Sequence, residues 1–306
     1  MYRGAMSVQS CTFSGIASSS EEAGAVYVLY PGQFNRVCFT ANSSNFTSCS
    51  ASQNGGAMFV SVLDATLINL CRFEHCSTTG ESSTGGALRL GGRLWNGQVQ
   101  YQFQLVDCVI ADCKAATRGG GVHIDGKLEL SVVGTKFERC EVGSESDFAL
   151  GGGIGVNDDP SLKVERSQFI ECRSRNGGGA VSFQDQNNLS ISDTLVKDCY
   201  SGTTGAVCVI HSINSGLFSF LRVFFDGSSI GEDTTFFTSS SVHFSQDATK
   251  FTDVAIMSGK YDYSPTIAFD DCFTTTHPDS AGKMNITSFM FSLFLRYFIQ
   301  TTNQER

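Results

Sequence analysis

The sequence predicts an all-β chain that folds as a parallel β-helix, with three short strands and about 30 residues in each coil. The first observation behind this prediction is a recurring pattern, of which residues 169–183 (FIECRSRNGGGAVSF) are one copy. The pattern consists of an apolar residue, a cysteine three positions later, a polar stretch, a glycine pair and then alternating small and apolar residues. The second observation is a composition that favours turns and strands over helices.

The pattern recurs with a nearly constant period over the first two thirds of the chain. Its copies begin at Phe46, Phe73, Ile110, Phe137, Phe169 and Val196. The cysteines of successive copies are 27, 37, 27, 32 and 27 positions apart, and periods in this range are typical of repeat architectures. The variation in length falls between the cysteine and the glycine pair. A solenoid accepts insertions in loops on one face because the stacked strands keep their register.

The composition agrees with a strand-rich solenoid. The chain has 32 glycines, 25 phenylalanines and only 4 prolines, and it lacks long runs of helix-forming residues at helical spacing. A hydrophobic content of 41% is sufficient for a packed core. The net charge is −9 and the chain has no basic block, which argues against nucleic acid as a partner because that affinity depends on neutralised phosphates.

Alternation after each glycine pair assigns residues to the inside and the outside of the coil. The inward pairs are predicted to be Val26 and Val28, Met58 and Val60, Leu88 and Leu90, Val122 and Ile124, Ile154 and Val156, and Val181 and Phe183. The residue between each pair should face outward, which gives the column Ser7, Tyr27, Phe59, Arg89, His123, Gly155, Ser182 and Cys208. The next outward column is Gln9, Leu29, Ser61, Gly91, Asp125, Asn157, Gln184 and Ile210.

The chain divides into three parts. Residues 1–215 contain the repeats and begin inside one, because residues 4–8 (GAMSV) match residues 179–183 (GAVSF), so we expect a fragment that lacks its N-terminus. Residues 216–283 have aromatic strand-like runs without the glycine motif and are interpreted as degenerate coils of the same solenoid, with a separate small β domain as the alternative. Residues 284–306 contain a strongly apolar stretch at 288–299, which is shorter than the about 20 residues of a membrane span, and are interpreted as a cap, with a truncated membrane anchor as the alternative.

The cysteines should stack into two ladders. The first consists of Cys49, Cys76, Cys113, Cys140, Cys172 and Cys199. The second lies five positions earlier and contains Cys11, Cys71 and Cys108, with Thr135, Ser167 and Thr194 in the other copies. Three interpretations stay open: small buried thiols, disulfides between coils, or a metal site. The cysteines within a copy are five positions apart, unlike the short gap typical of zinc sites, so a metal site is the least favoured of the three and we predict no metal. We also predict no cofactor.

Two sets of side chains are candidates for function. Tyr27, Phe59, Arg89 and His123 would form an outward strip of aromatic and cationic groups, which can stack on sugars or anchor a protein; an ordinary mixed surface is the alternative. Asp125, Asp158 and Asp159 are the fallback candidates for catalysis. Glycoside hydrolysis needs two carboxyl groups about 5–9.5 Å apart, and the neighbour of Asp125 in its column is an amide, so we predict that the chain is not an enzyme.

Four Asn-x-Ser/Thr sequons are candidates for glycosylation if the protein is secreted by a eukaryotic cell. They are Asn42, Asn45, Asn188 and Asn285.

The glycine half of the repeat resembles that of a known family. The segments GGAM (55–58), GGAL (85–88) and GGAV (178–181) resemble the GGA[ILV] motif of the chlamydial polymorphic outer-membrane proteins, and similar repeats occur in surface proteins of protists. The resemblance covers residues 1–210, but cysteine replaces the asparagine of the family's F-x-x-N motif. It implies a right-handed β-helix on a cell surface or outside the cell, with a role in adhesion, recognition or structural display.

The resemblance also implies the class of partner. We expect a glycan or protein on a host or neighbouring cell, and contact with a membrane only through a missing or truncated anchor. Because polysaccharide lyases and hydrolases also use β-helices, a carbohydrate-active enzyme is the alternative function. A purely structural spacer is a third interpretation.

Overall fold

The chain is built from short parallel strands in stacked sheets. The computed structural model describes residues 3–19, 22–29, 36–61, 65–92, 101–143, 149–158, 160–184 and 188–202, and then short strands between residues 208 and 286. Within these ranges the secondary structure is all-β, with strands and turns and no helix. The prediction of an all-β solenoid with parallel strands is therefore confirmed.

Each full coil passes in order through four sheets, which we name sheets I to IV. Sheets I, II and III have ten strands each, and sheet IV has seven. Sheet I consists of Val26–Leu29, Met58–Ser61, Leu88–Gly92, Val122–Gly126, Ile154–Asn157, Val181–Gln184, Cys208–His211, Phe236–Thr238, Val254–Ser258 and Met284–Ile286. Sheet II consists of Arg3–Gln9, Arg36–Asn42, Ala65–Asn69, Tyr101–Val106, Leu128–Val133, Ser161–Glu165, Leu189–Ser192, Phe218–Leu221, Val242–Ser245 and Ile267–Phe269.

Sheets III and IV are made of shorter strands. Sheet III consists of Thr12–Ser14, Asn45–Thr47, Arg72–Glu74, Val109–Ala111, Lys136–Glu138, Gln168–Ile170, Leu195–Lys197, Phe224–Asp226, Thr249–Phe251 and Cys272–Phe273. Sheet IV consists of Ser50–Ala51, Ser77–Thr78, Lys114–Ala115, Glu141–Val142, Arg173–Ser174, Tyr200–Ser201 and Ser229–Ile230. The sequence pattern predicts three strands per coil, so sheet IV is an addition to that prediction.

The glycine pair creates the turn that leads into each strand of sheet I. The first glycine of the pair has a positive φ, for example +55° at Gly55, where a side chain would strain the backbone. The second packs against the next coil: a Cβ on Gly56 would lie 2.1 Å from the carbonyl oxygen of Gly86. One glycine is therefore required by backbone conformation and the other by close approach between coils.

The inward column of sheet III forms the aromatic part of the core. The rings of Phe13, Phe46 and Phe73 stack with centroids 4.8 Å apart at each step, and Phe137 stacks on Phe169 at 4.7 Å. Ile110 lies between the two stacks and is fully buried. The predicted inward residues of sheet I from Val28 to Phe183 are buried as well, whereas Val26, at the edge of the sheet, is partly buried.

The structure corrects two predicted alignments. Arg3–Gln9 belongs to sheet II, where Met6 pairs with Phe39, so Ser7 and Gln9 are not part of the outward columns of sheet I. In the last copy of the repeat, Cys208 pairs with Val181, and Val209 takes the predicted place of Cys208 in the outward column. A one-residue slip exchanges the two faces of a strand, and this register aligns Ile210 with the inward Phe183.

Beyond residue 215, strand pairing continues in the same order along sheets I, II and III. The last strand, Met284–Ile286, pairs antiparallel with Val254–Ser258, unlike the parallel pairs before it. The apolar segment 288–299 lies outside the described residues. Among the residues that the structure describes, no helix is long and apolar enough to cross a membrane.

Candidate functional site

The outward face of sheet I brings three of the four predicted strip residues into one continuous stack. Tyr27, Phe59 and Arg89 are Cα partners on successive strands. The rings of Tyr27 and Phe59 stack with centroids 5.4 Å apart and an interplanar angle of 16°. The guanidinium carbon of Arg89 lies 5.5 Å from the Phe59 ring centroid, within the range of a cation–π interaction. Tyr27 is 43% exposed, whereas Phe59, enclosed between its two neighbours, is 9% exposed.

Arg89 is held in place by two polar partners. One terminal nitrogen donates to Asn54 Oδ1, and the other donates to Asp125 Oδ2 at 2.5 Å, forming an ion pair. The two charged side chains are 23% and 22% exposed, so the pair is partly shielded from water. Asn54 also accepts from the Thr84 hydroxyl at 3.3 Å, which fixes the amide. A guanidinium fixed in this way loses little further entropy on contact with a ligand.

His123, the fourth predicted strip residue, faces outward but is buried. It is the Cα partner of Arg89, and it is 3% exposed. The turn before each strand of sheet I folds back over the start of the strand: a Cβ on Gly155, the next Cα partner, would lie 2.7 Å from the backbone nitrogen of Gly119. The accessible part of the strip therefore ends at Arg89, which alternation alone does not predict.

The burial of His123 keeps its imidazole uncharged. Burial lowers the pKa of the imidazole from 6.5 to about 4; the nearby Asp125 carboxylate opposes this shift, and the guanidinium groups of Arg89 and Arg118 add to it. Its Nδ1 is buried and makes no hydrogen bond with the described residues. The ring is therefore neutral at physiological pH and packs beneath the surface.

Gly91 lies beside the Arg89–Asp125 pair and is buried. A Cβ on Gly91 would lie 3.0 Å from Asp125 Oδ1 and 3.8 Å from Phe59 Cε2 and from Ser61 Cβ. The Asp125 carboxylate therefore lies close over the backbone at Gly91, and a side chain there would have to displace it.

Among the described residues, none of the candidate catalytic aspartates is the Cα partner of another on a neighbouring strand. Asp125 is bound to Arg89, and its Cα partners on the neighbouring strands are Gly91 and Asn157. Asp158 is exposed in the turn after Ile154–Asn157, with a positive φ of 64°. Asp159 lies outside the described residues.

The first cysteine ladder lies in the core. Cys49, Cys76, Cys113, Cys140, Cys172 and Cys199 are fully buried. None of the described cysteines forms a disulfide. The thiols donate to backbone carbonyl groups, as Cys76 does to Phe46 at 3.5 Å and to Glu74 at 3.4 Å. Burial raises the pKa of the Cys140 and Cys199 thiols well above the usual value, so these two side chains are protonated and poorly reactive.

The second ladder is a hydrogen-bonded corner between sheets II and III. A side chain accepts from the backbone N–H of the preceding coil and donates to the carbonyl group two residues earlier. Thr135, for example, accepts from the Cys108 N–H at 3.3 Å and donates to Val133 at 3.2 Å. Ser44, which the sequence analysis omitted, accepts from Cys11 at 3.1 Å in the same way. This double role explains why Cys, Ser and Thr replace one another in this column.

A surface depression lies on the outward face of sheet II and has a volume of about 130 Å³. Its lining includes Thr40, Leu67, Gln102 and Gln104, and it has no charged group. It therefore offers amide and hydroxyl groups but no acid or base. Among the described residues, no group of three or more His, Cys, Asp or Glu side chains is arranged to bind a metal ion.

The sequons differ in accessibility. Asn45 and Asn188 are exposed. Asn42 is half-buried, and its Oδ1 accepts from Asn69 Nδ2 at 3.0 Å. The side chain of Asn285 lies outside the described part of the chain. Asn45 and Asn188 are thus the sequons that offer an accessible amide.

Comparison of the chain with protein-family models, with curated proteins and with solved structures finds no match.

Proposed function

We propose that the chain is a non-enzymatic recognition module of a surface or secreted protein, and that its ligand binds on the outward face of sheet I. The observation that carries this proposal is the stack of Tyr27, Phe59 and Arg89 across three successive coils. Tyrosine and arginine are enriched among the residues that dominate binding energy at interfaces. A ligand at this face would gain contact area from rigid groups at a low entropic cost.

The exposed side chains at one end of the stack support a binding role. Tyr27 and Leu29, on the same strand, are 43% and 39% exposed, and both belong to the outward face. Arg89 lies two strands away on the same face, with Phe59 between it and Tyr27, so one surface has both apolar and polar groups. This mixture fits a glycan or a protein on a host or neighbouring cell, which is the class of partner that the family resemblance implies. The proposed location is the cell surface or the extracellular space.

The resemblance also supports the proposal that the solenoid is right-handed, with three main strands per coil from sheets I, II and III. Parallel strands joined by a crossover are right-handed in the great majority of proteins.

A carbohydrate-active enzyme is the second candidate function, and Asp125 beside an arginine is the observation that favours it. Against it, Asp125 is bound to Arg89 and has no carboxylate as a Cα partner. Glycoside hydrolysis requires two carboxyl groups on opposite sides of the scissile bond. Binding without turnover therefore agrees better with the described residues.

The test is a binding screen of the intact protein against immobilised glycans and cell-surface proteins, with released reducing and unsaturated ends measured in parallel. We expect binding without products, weakened about fivefold or more by Tyr27→Ala. The matched control is Tyr200→Ala, because Tyr200 is 40% exposed on sheet IV, away from the stack. Equal weakening by both variants, or no binding at all, would contradict a site on sheet I and favour a structural role. Product formation that disappears in Asp125→Asn would establish the enzyme instead.

A further inference from the structure

The depression on the outward face of sheet II results from a change in side-chain length across three coils. Its outward lining residues come in pairs from three successive strands: Cys38 and Thr40, Ala65 and Leu67, and Gln102 and Gln104. Ala65 and Gln102 are Cα partners, as are Leu67 and Gln104. Ala65 has the shortest side chain of the six and lies beside the long side chain of Gln102, so the surface is lowest at Ala65.

The size of the depression limits what it can hold. Its volume of about 130 Å³ has room for about four water molecules, at about 30 Å³ each. A pocket that encloses a whole small-molecule ligand is larger, at about 300–1,000 Å³. The depression therefore admits one small group of a larger ligand, with about four non-hydrogen atoms, while the rest of the ligand stays above the surface.

The lining combines apolar groups with amides. Ala65 and Leu67 contribute methyl groups. Gln102 and Gln104 are exposed, and each carboxamide can donate and accept hydrogen bonds. An acetamido group complements this lining, because it has a methyl group, an N–H donor and a carbonyl acceptor within four non-hydrogen atoms. The amide of a peptide backbone fits less well, since it is flanked by a substituted carbon on each side.

The charges around the depression favour a neutral ligand. No charged side chain lines it. Glu129, the Cα partner of Gln102 on the next coil, is exposed, and the chain as a whole has a net charge of −9. An anionic ligand would be repelled and would find no cation among the lining residues. A neutral glycan does not meet this repulsion.

We propose that the depression on sheet II binds the acetamido group of an N-acetylhexosamine unit in a neutral glycan. The methyl group contacts Ala65 and Leu67, and the N–H and carbonyl groups exchange hydrogen bonds with the carboxamides of Gln102 and Gln104. The sugar ring stays at the surface. This site lies on a different sheet from the stack of Tyr27, so it goes beyond the recognition proposed for sheet I and does not depend on it.

The test compares two oligosaccharides that differ only in the group that the depression would hold. The β-1,4-linked tetramer of N-acetylglucosamine has an acetamido group on each ring where the β-1,4-linked tetramer of glucose has a hydroxyl group. Isothermal titration calorimetry measures the binding of each tetramer to the intact protein. Ala65→Gln fills the depression with the side chain that its Cα partner Gln102 already has. The matched control is Ser161→Gln, in the same outward column but outside the depression.

We expect the N-acetylated tetramer to bind about fivefold more tightly than the glucose tetramer, or better. Ala65→Gln should abolish this preference, and Ser161→Gln should keep it. Gln104→Ala should weaken binding of the N-acetylated tetramer about threefold or more, because a hydrogen bond is lost. Thermal unfolding of each variant shows that the fold is kept. Equal binding of the two tetramers, binding of neither, or a preference that survives Ala65→Gln would overturn the inference.

Tyr27→Ala separates this inference from the proposed function. If this variant abolishes the preference and Ala65→Gln does not, the sugar lies on sheet I. The inference about sheet II then fails, and recognition on sheet I stands. If Ala65→Gln abolishes the preference but leaves binding of the ligand found in the glycan and protein screen unchanged, the two faces bind independently, as the inference requires.

Discussion

The buried imidazole of His123 should make the stability of the fold depend on pH. The pKa of His123 is lowered to about 4 in the folded chain, against about 6.5 in an unfolded one. Between these values the unfolded state binds a proton that the folded state does not, so the free energy of unfolding falls as the pH falls from 6.5 toward 4. The difference of about 2.5 pKa units corresponds to about 3 kcal/mol in total, of which about 2 kcal/mol is lost by pH 5.

Replacement of the imidazole by a group that does not titrate removes this contribution. We expect His123→Gln to be less sensitive to pH than the wild type, whatever its stability at neutral pH. The measurement is the free energy of unfolding in urea at pH 7.5, 6 and 5, with the loss on acidification compared between the two proteins. The loss in the wild type should exceed that in the variant by about 2 kcal/mol at pH 5.

The control is His75→Gln, which removes an imidazole that is exposed at the corner between sheets III and IV. This variant should keep the wild-type loss, because it leaves the buried imidazole of His123 in place. Equal losses in the wild type and His123→Gln would refute the reasoning. They would mean that His123 is solvated or charged in the folded protein.

Three further predictions concern the core and the turns. Gly56→Ala should lower the free energy of unfolding by more than about 3 kcal/mol or prevent folding, since its Cβ would clash with the backbone of the next coil. The control Gly143→Ala should change the unfolding midpoint little. Equal midpoints for the two variants would contradict the close approach between coils. Phe73→Ala should cost about 3–5 kcal/mol in urea unfolding, and Phe73→Leu clearly less, because the ring fills a stacked core position. Among the described cysteines, Cys11 and Cys38 should react first with N-ethylmaleimide, because they alone are not buried. Peptide mass spectrometry measures the labelling of each cysteine. Rapid labelling of the buried ladder would contradict the fold.

The repeat sequence predicts the fold well because each of its signals has a local physical cause. Glycine pairs mark a turn with a positive φ and a close approach, and alternation with a period of two separates the buried Met58 and Val60 from the outward face. The two-residue strands of sheet IV are too short to produce a periodic pattern. The first strand was placed in the wrong sheet because a small–apolar alternation such as that of residues 4–8 also fits sheet II.

The candidate site is harder to predict because its form depends on contacts between coils. Alternation places Phe59, Arg89 and His123 in one outward column, but the turn that covers His123 is a feature of the folded chain. The pairing of Arg89 with Asp125 joins two different columns on adjacent coils, and Asn54 comes from the turn before the strand. A single sequence has no local signal for such contacts.

The most direct test of recognition on sheet I is hydroxyl-radical footprinting of the protein, alone and with the ligand that binds best in the screen. In the uncomplexed protein, the exposed Tyr27 and Tyr200 should both be oxidised. On binding, oxidation of Tyr27 should fall severalfold while that of Tyr200 stays constant. Protection of Tyr200 with Tyr27 unchanged would contradict it, because the ligand would then lie on another face of the solenoid.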